Sequence, residues 1–483
     1  MKRAALLAIS AGAWLAGCTS LGSVNTAAEK PAAPVANSWM TTGDQAMKLS
    51  PQAPTAFTPG VAATADETLI TVEPNERHQV IEGFGASFTD ATSWLMNKRM
   101  TAAQRAALLK DLFDPKDGLG FALTRLTVGA SDFSREHYSY ADMPKGKTDP
   151  ELKSFSIAKA KEDVLPVTRA AMAINPELKI MVTPWSPPGW MKTTDSLIKG
   201  RLKPEHYDSF ARYLRKTVDA FTAEGVPVYA LTIQNEPHFE PENYPGMRVE
   251  PAERAKILAE NVGPLFPKGE GKTKLLDWDH NWDQPESPLA VLADPKAKAA
   301  LTGVAWHCYA GDVTAQEQIA KAHPDMEQWF TECTGGAWAP KWGDTLVWNV
   351  SKLIIGTSRT GSKGTILWNL ALDEKSGPHL GGCGDCRGVV TIDNATGAVT
   401  RNVEYYSLGH ASRFTKPGAV RVGSTSGVNG VETIAFENPD KSVALIAVNG
   451  ANEARRVRIA FNSQSFAATV PAQAVVTWQW KQP

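Results

Sequence analysis

The sequence predicts an α/β chain, a (β/α)8 TIM barrel with an appended antiparallel β-sandwich domain. Three observations lead there. Eight short apolar runs alternate with amphipathic stretches between about residues 79 and 416. Beyond about Pro417 the pattern changes to alternating apolar and polar residues between turn signals, as antiparallel strands with one buried face require. No Gly-rich phosphate loop follows the first strand, which argues against a doubly wound open sheet.

In chain order, residues 1–18 lie outside this scheme. Lys2-Arg3 gives a positive start, and the apolar run Ala4–Ala16 is too short to span a bilayer as a stable helix. It ends in Leu15-Ala16-Gly17-Cys18, which resembles the bacterial lipoprotein signal, where the peptide is cut before a cysteine that is then acylated. The expectation is an exported protein of a bacterium, held at the outer membrane or cell surface by lipid on Cys18, with the membrane engaged through that anchor alone. An ordinary secretory signal that happens to contain a cysteine is the alternative. Thr19 departs from the Asp of the inner-membrane retention signal. Residues 19–37, rich in Ala, Pro, Ser and Thr, read as a flexible tether. Residues 38–78 are expected to contribute to the sandwich, with Thr68–Val72 returning to join it.

Barrel strands are expected at Val80–Phe84, Ala122–Val128, Lys179–Trp185, Val228–Gln234, Lys274–Trp278, Gly303–His307, Gln328–Thr331 and Thr365–Trp368. Helical patterns such as Thr101–Phe113, Glu205–Ala223 and Pro251–Leu265 separate them. Residues 79–416 form the predicted catalytic barrel and residues 417–483 the sandwich, with strands at Val420–Gly423, Glu432–Glu437, Ser442–Val448, Arg456–Phe461 and Ala474–Trp480.

Composition narrows the function. The 483 residues carry a formal net charge of -1, with no basic cluster beyond pairs such as Arg455-Arg456, so nucleic acid is not an expected partner. The 15 Trp outnumber the 9 Tyr, and Trp185 and Trp368 sit at strand ends, where a flat aromatic face suits the apolar C–H face of a sugar as well as it suits a core. In an exported protein Cys383-Gly-Asp-Cys386 reads first as a local disulfide; zinc would need two further ligands, and no second CxxC or HxxxH exists. Cys308 and Cys333 each follow a residue placed in the pocket, so strand alternation turns them away to pack as small hydrophobes.

Two strand ends carry the chemistry. Leu231-Thr-Ile-Gln-Asn235-Glu236-Pro237 is an apolar run that stops in an amide, a carboxylate and a proline, and Trp329-Phe330-Thr331-Glu332-Cys333 stops in a second carboxylate. A single such Glu is most simply a polar strand end. On strands four and seven of a barrel, however, both face one mouth, and paired carboxyls are the apparatus for cleaving a glycosidic bond. One must be protonated to serve the leaving oxygen and the other ionised to attack the anomeric carbon. No cofactor and no metal is needed for that chemistry. His307 reads as a hydrogen-bonded barrel residue, with no second His at ligand spacing. Asp277-Trp278-Asp279-His280-Asn281, at the end of strand five, reads first as a polar loop without a ligand role and otherwise as a contribution to the aglycone side, and Glu240 and Glu242 read as solvent-facing.

Ordered motifs extend this reading. They are Glu82-Gly-Phe-Gly-Ala-Ser-Phe-Thr-Asp90, Thr124-Arg125-Leu126, Ser131-Asp132-Phe133-Ser134, Thr183-Pro-Trp185-Ser-Pro-Pro-Gly-Trp190-Met-Lys192, Gln234-Asn235-Glu236-Pro237, Thr331-Glu332-Cys333, Leu367-Trp368-Asn369-Leu370-Ala371 and Tyr406-Ser-Leu-Gly-His410. Through them, from about residue 66 to the end, the chain resembles glycoside hydrolase family 30, the group containing the glucosylceramidases. The resemblance implies a retaining mechanism on a β-linked glucoside or glucan, with Glu236 as acid/base and Glu332 as nucleophile, about 5 Å apart. It implies that Asn235 bonds the sugar 2-hydroxyl and that Asp132, Trp185 and Trp368 hold the non-reducing sugar. Tyr309 is expected to hydrogen-bond Glu332, and Arg125 either to hold the nucleophile ionised or to form a buried structural ion pair. His307-Cys308-Tyr309 departs from the animal glucosylceramidases, which carry Trp in the middle, and the Cys383–Cys386 loop departs too, so ceramide specificity does not carry over. Alternatives on the same mechanism are an endo-β-1,6-glucanase and a β-xylosidase or β-fucosidase, with the loops Asn243–Met247 and Gly381–Arg387 deciding. The alternative of another class is a surface lipoprotein that binds glycans without cleaving them.

Overall fold

The computed structural model of the protein describes residues 34–482; the predicted signal with Cys18 and most of the predicted tether lie outside the described residues. Eight parallel strands close a barrel: β1 (Gly83–Ala86), β2 (Leu123–Val128), β3 (Lys179–Pro184), β4 (Val228–Thr232), β5 (Lys274–Asn281), β6 (Gly303–His307), β7 (Glu327–Glu332) and β8 (Ser362–Leu367). All eight lie within about three residues of their expected positions. The first begins at Gly83 rather than Val80, because Val80 ends a different strand, Glu67–Val80, which belongs to the sandwich sheet. Gly85 is needed where β1 meets β2, since a Cβ there would lie 1.9 Å from the Leu123 carbonyl oxygen.

The barrel interior is built in layers. Leu123, Met181, Ala230, Leu276, Ala305, Trp329 and Ile366, one from each of β2–β8, form an apolar layer. Strand alternation then places Arg125, Thr183, Thr232, His307, Thr331 and Trp368, each two residues further on, in the next layer towards the C-terminal mouth. The helices pack outside; Thr101 caps Ala102–Phe113 with a full capping box, and Tyr207–Ala223 buries Phe210, Leu214, Val218 and Phe221 along one face.

Ten strands hydrogen-bond in one order to make the second sheet, antiparallel except where Glu67–Val80 runs parallel to Arg455–Phe461. The sheet folds over its own apolar core, with Phe466 against Trp478 and Phe461 against Trp480 at centroid distances of 6.2 and 5.5 Å. Ser442–Asn449 is buried at every position: Val443, Leu445 and Ala447 face the sandwich core, and Ala444, Ile446 and Val448 pack against the barrel. Val35–Thr42 corrects the boundary of the tether. Residues 35–37, read as linker, already pair with Thr55–Ala56 and Gln479, because Ala36 and Ser38 alternate into the buried face.

His410 joins the two parts. It lies on the helix Val403–Ser412, is fully buried, and has each ring nitrogen 2.8 Å from a threonine hydroxyl of the sandwich, Nδ1 from Thr477 and Nε2 from Thr41. Thr477 donates its own hydroxyl hydrogen to the His410 carbonyl, so Nδ1 is the N–H donor and Nε2 accepts from Thr41. With no anion in contact, burial pushes this imidazole down from 6.5 to about 3. The unfolded chain therefore binds a proton below 6.5 that the folded chain excludes, and stability falls as pH drops through that window. Replacing His410 by Gln should remove about 2 kcal/mol of the stability lost between pH 6.5 and 5, read from denaturant unfolding at several pH values. An unchanged slope would refute this account of His410.

Candidate active site

The layer at the barrel mouth converges on one carboxylate. Asp279 is fully buried, and its Oδ2 accepts from Arg125 Nη2 (2.7 Å), Thr232 Oγ1 (2.7 Å) and Thr183 Oγ1 (3.1 Å). Its Oδ1 accepts from Thr331 Oγ1 (2.6 Å) and His307 Nε2 (3.0 Å). Although burial works against its charge, Arg125, His307 and the hydroxyls hold this carboxyl well below the usual range. Simple alternation from Leu276 would have turned Asp279 outwards. A bulge prevents that: Ala305 pairs with Trp278 and Trp306 with His280, leaving Asp279 as the extra residue, with Trp278 and Asp279 at φ 74° and 53°. The stretch read as a polar loop thus supplies the centre of the site.

The Arg125 guanidinium distributes the remaining contacts. Nη1 donates to Glu332 Oε2 at 2.5 Å, Nη2 also donates to Asn235 Oδ1 at 2.7 Å, and Nε donates to Thr183. Arg125 is ion-paired with both Glu332 and the buried Asp279, which is the bridging arrangement, while Glu332 still moves up in spite of the guanidinium. Because Asn235 Oδ1 is occupied, its amide NH2 is the end left for a ligand hydroxyl. Tyr309 donates to the other Glu332 oxygen, Oε1, at 2.9 Å. Glu332 reaches the pocket through a second bulge, where Trp306 pairs with Phe330 and His307 with Glu332, so Thr331 and Glu332 both turn inwards.

Glu236 lies four residues beyond β4 at φ 45°, where its N–H donates to the Asp279 carbonyl and that of Asn235 donates to the Pro184 carbonyl. A left-handed non-glycine residue at a pocket rim is strain held in place by its surroundings. His307 Nδ1 is 3.0 Å from Glu236 Oε1 and 4.0 Å from Glu332 Oε1, which sets the two carboxyls on either side of one imidazole. Burial opposes charge on His307, but Glu332, Asp279 and Glu236 outweigh it and push the ring up to about 9. For Glu236, burial pushes upward and the His280 and His307 rings outweigh it, leaving the carboxyl well below its ordinary value. Glu332 moves up, through burial and the Glu236 and Asp279 charges, against the pull of His307 and Arg125. Two cations, Arg125 and His307, face three carboxyls, so the two glutamates compete for the same positive charge and their proton affinities move apart.

One wall of the same pocket, of about 560 Å³, collects Asp132, Trp185 and Trp368. The two indoles stack on each other at 4.9 Å and 20°, with Arg125 beneath them. Burial, with the Glu332 and Glu236 charges, pushes Asp132 up to about 8, so at neutral pH it is a carboxylic acid able to donate, and its Oδ1 has no protein partner. The loops 243–247 and 381–387 meet above it, where Gly382 N–H donates to Asn243 Oδ1 at 3.3 Å. Cys383 and Cys386 are disulfide-bonded there, as expected, and line the pocket. Glu242 is exposed and paired with Lys199, and Glu240 accepts the Gly200 N–H.

Cys308 and Cys333 correct the sequence reading, because they are bonded to each other rather than packed as separate hydrophobes. Each does turn from the pocket, but with His307 paired to Glu332 the two following residues stand side by side on adjacent strands, 5.4 Å apart at Cα. The fold also brings His280 beside His307, which the sequence spacing did not suggest. Among the described residues, Glu236, His280 and His307 are the group close enough to share a metal ion. The donor set does not fit one: both His307 nitrogens face carboxylates as an imidazolium, with no lone pair to offer.

Removing the charge of Asp279 leaves two buried cations short of an anion. Asp279→Asn should destabilise the protein by about 3–5 kcal/mol, against about 1 kcal/mol for Thr232→Val, which deletes one neutral donor. Equal losses in denaturant titration would show that the Asp279 charge is not the organising element.

With this geometry in place, the comparisons assign the chain. Residues 81–415 match the glycosyl hydrolase family 30 TIM-barrel domain, and residues 418–478 match the glycosyl hydrolase family 30 beta sandwich domain. An endo-1,6-beta-D-glucanase of Aspergillus fumigatus is 34% identical over 97% of this chain and 99% of its own. The lysosomal acid glucosylceramidase of Mus musculus is 26% identical over 86% of this chain and 84% of its own. The solved structure of the endo-beta1,6-glucanase BT3312 superposes with a TM-score of 0.85 at 33% identity, covering 93% of this chain and 99% of that one. The chain belongs to glycosyl hydrolase family 30.

Proposed function

We propose that this protein is an endo-acting β-glucanase that cleaves β-1,6-linked glucan with retention of configuration. Glu332 attacks the anomeric carbon while Glu236 gives its proton to the leaving oxygen, forming a covalent glycosyl-enzyme. Glu236, now ionised, takes a proton from the water that displaces Glu332 in the second step. The single proton of the pair must therefore stand on Glu236 when the bond breaks. Positive charge developing at the anomeric carbon favours this, because it holds the adjacent Glu332 ionised together with the Arg125 and Tyr309 donors. Asn235 offers its amide hydrogens to the 2-hydroxyl, and Asp132, Trp185 and Trp368 seat the sugar on the non-reducing side.

The linkage rests on one observation: likeness to proteins named endo-1,6-glucanases runs at 33–34% identity over nearly the whole chain, against 26% for the lysosomal glucosylceramidase. A hydrolysis panel tests it with aryl β-glucoside, aryl β-xyloside, glucosylceramide and β-1,6-glucan, recording product lengths. Short β-1,6-linked oligosaccharides at early times are expected; glucose released alone, or turnover confined to glucosylceramide, would reject it. Glu332→Gln should lower turnover by at least about a thousandfold and retain glucan binding, since the attacking oxygen is lost and the pocket is not.

Export and a lipid anchor at Cys18 are part of the same proposal, supported by Lys2-Arg3, the apolar run and Leu15-Ala-Gly-Cys18. Cys18→Ala should move the protein from the membrane to the soluble fraction in a bacterial host and abolish incorporation of labelled palmitate. Unchanged fractionation would remove the anchor from the reading.

A further inference from the structure

The catalytic pocket does not end at Tyr309. A second groove of about 780 Å³ continues from it, sharing Tyr309, Thr334 and Trp338 and running on past Lys341 and Asp344 to Trp348. The sugar wall is made by the ends of β2, β3 and β8, which carry Asp132, Trp185 and Trp368, whereas this groove is made by the segments that follow β6 and β7. Among the described residues the exposed aromatic side chains are Phe239, Tyr309, Trp338 and Trp348, at 46, 42, 55 and 41%, and all four line one or both cavities. Exposed indoles are expensive to leave in water, and their confinement to one continuous trough is not random scatter.

We infer that Trp338 and Trp348 are stacking platforms for the sugar units on the reducing-end side of the scissile bond, in a β-linked glucan whose preceding sugar occupies the catalytic pocket. The inference rests on the proposed glucanase activity and adds the half of the binding site that this activity requires. The chemistry of the lining selects the occupant. Besides its indoles and Tyr309, the groove presents Thr, Lys, Asp and Asn side chains, with the Cys308–Cys333 bond, Ala339 and Pro340 as its small apolar lining and no Leu, Ile, Val, Met or Phe, so it offers flat faces and hydroxyl partners but no long aliphatic trough for an acyl chain. The platform is held still. Cys333, at the head of the segment, is tied to Cys308; Gly335 and Gly336 pair with Arg387 and Cys386; and Ala337 N–H donates to the Asp385 carbonyl. Gly336 is required beneath Trp338, since a Cβ there would lie 1.9 Å from the indole. A preorganised aromatic surface loses little entropy on binding.

The test is a ladder of gluco-oligosaccharides of two to six units in β-1,6, β-1,4 and β-1,3 linkage, with aryl β-glucoside as the substrate that has no sugar past the bond. For whichever ladder the parent enzyme cleaves, Trp348→Ala should lower kcat/KM by about tenfold for the longest member, mainly through KM, and by less than twofold for the aryl glucoside. Trp338→Ala should already affect the short members. A loss that does not grow with chain length overturns the inference, whatever the linkage. Cleavage of a ladder other than β-1,6 rejects the proposed linkage and leaves the groove to be judged by its own length dependence. Turnover of glucosylceramide in vesicles with no ladder cleaved overturns both.

Discussion

The structure of the mouth depends on a single buried carboxylate. Asp279 takes five donors from five different strands and so fixes, at once, the guanidinium that holds Glu332 and Asn235 and the imidazole whose Nδ1 faces Glu236 and Glu332. Buried ion pairs are poor sources of stability by themselves, because desolvation consumes most of the Coulombic gain. Here the arrangement gives something else. Two cations and three carboxyls enclosed together push the proton affinities of the two glutamates apart, and double displacement needs one protonated and one ionised partner. With Arg125 on one oxygen of Glu332 and Tyr309 on the other, both oxygens of this carboxyl are held by separate donors.

The sheet delivers this constellation by breaking its own alternation at two places. An unbulged β5 would present Trp278 to the interior, and an unbulged β7 would present Thr331 alone. The extra residues on both strands turn Asp279 and Glu332 inwards while the apolar layer below stays regular. Bulges at the rim of a barrel therefore act as positioning devices, on β5 at the cost of left-handed backbone at Trp278 and Asp279. The Cys308–Cys333 bond sits directly behind two of the side chains so placed, His307 and Glu332, and ties their strand ends together.

What could be read from the sequence divides along the same line. Glu236 and Glu332 were legible because a carboxylate that ends an apolar strand is conspicuous in one dimension, and Trp185 and Trp368 for the same reason. Asp279 was not, since its role depends on a one-residue shift of register that no local pattern announces, and Asp277 beside it has a similar context but pairs outside the barrel with Arg254. The cysteine pair is hidden on the same ground: each strand taken singly turns its cysteine from the pocket, whereas the bond depends on His307 lying opposite Glu332. In the sandwich, strands with one wet face show their alternation, but the start of Val35–Thr42 resembles the tether because its Ala, Asn and Ser residues carry little apolar signal.

The two sides of the cleft differ in a way that bears on how binding energy is used. On the side of Trp185 and Trp368 the indoles are 3% exposed, stacked on each other and backed by Arg125, so under the proposed function that wall is fully assembled before a sugar arrives. On the other side the aromatic faces stand open to water and have surface to gain from contact. Energy gained there comes from sugars that do not react, and it raises turnover only where the chain it holds is drawn into the geometry in which Glu236 meets the leaving oxygen. A linkage through a primary hydroxyl adds a rotatable bond between neighbouring rings, so a glucan of that kind arrives with more freedom to lose than a directly linked one. A rigid platform beyond the scissile bond removes that freedom before chemistry begins, and this makes an open aromatic groove beside a closed pocket a coherent design for internal cleavage of a flexible chain.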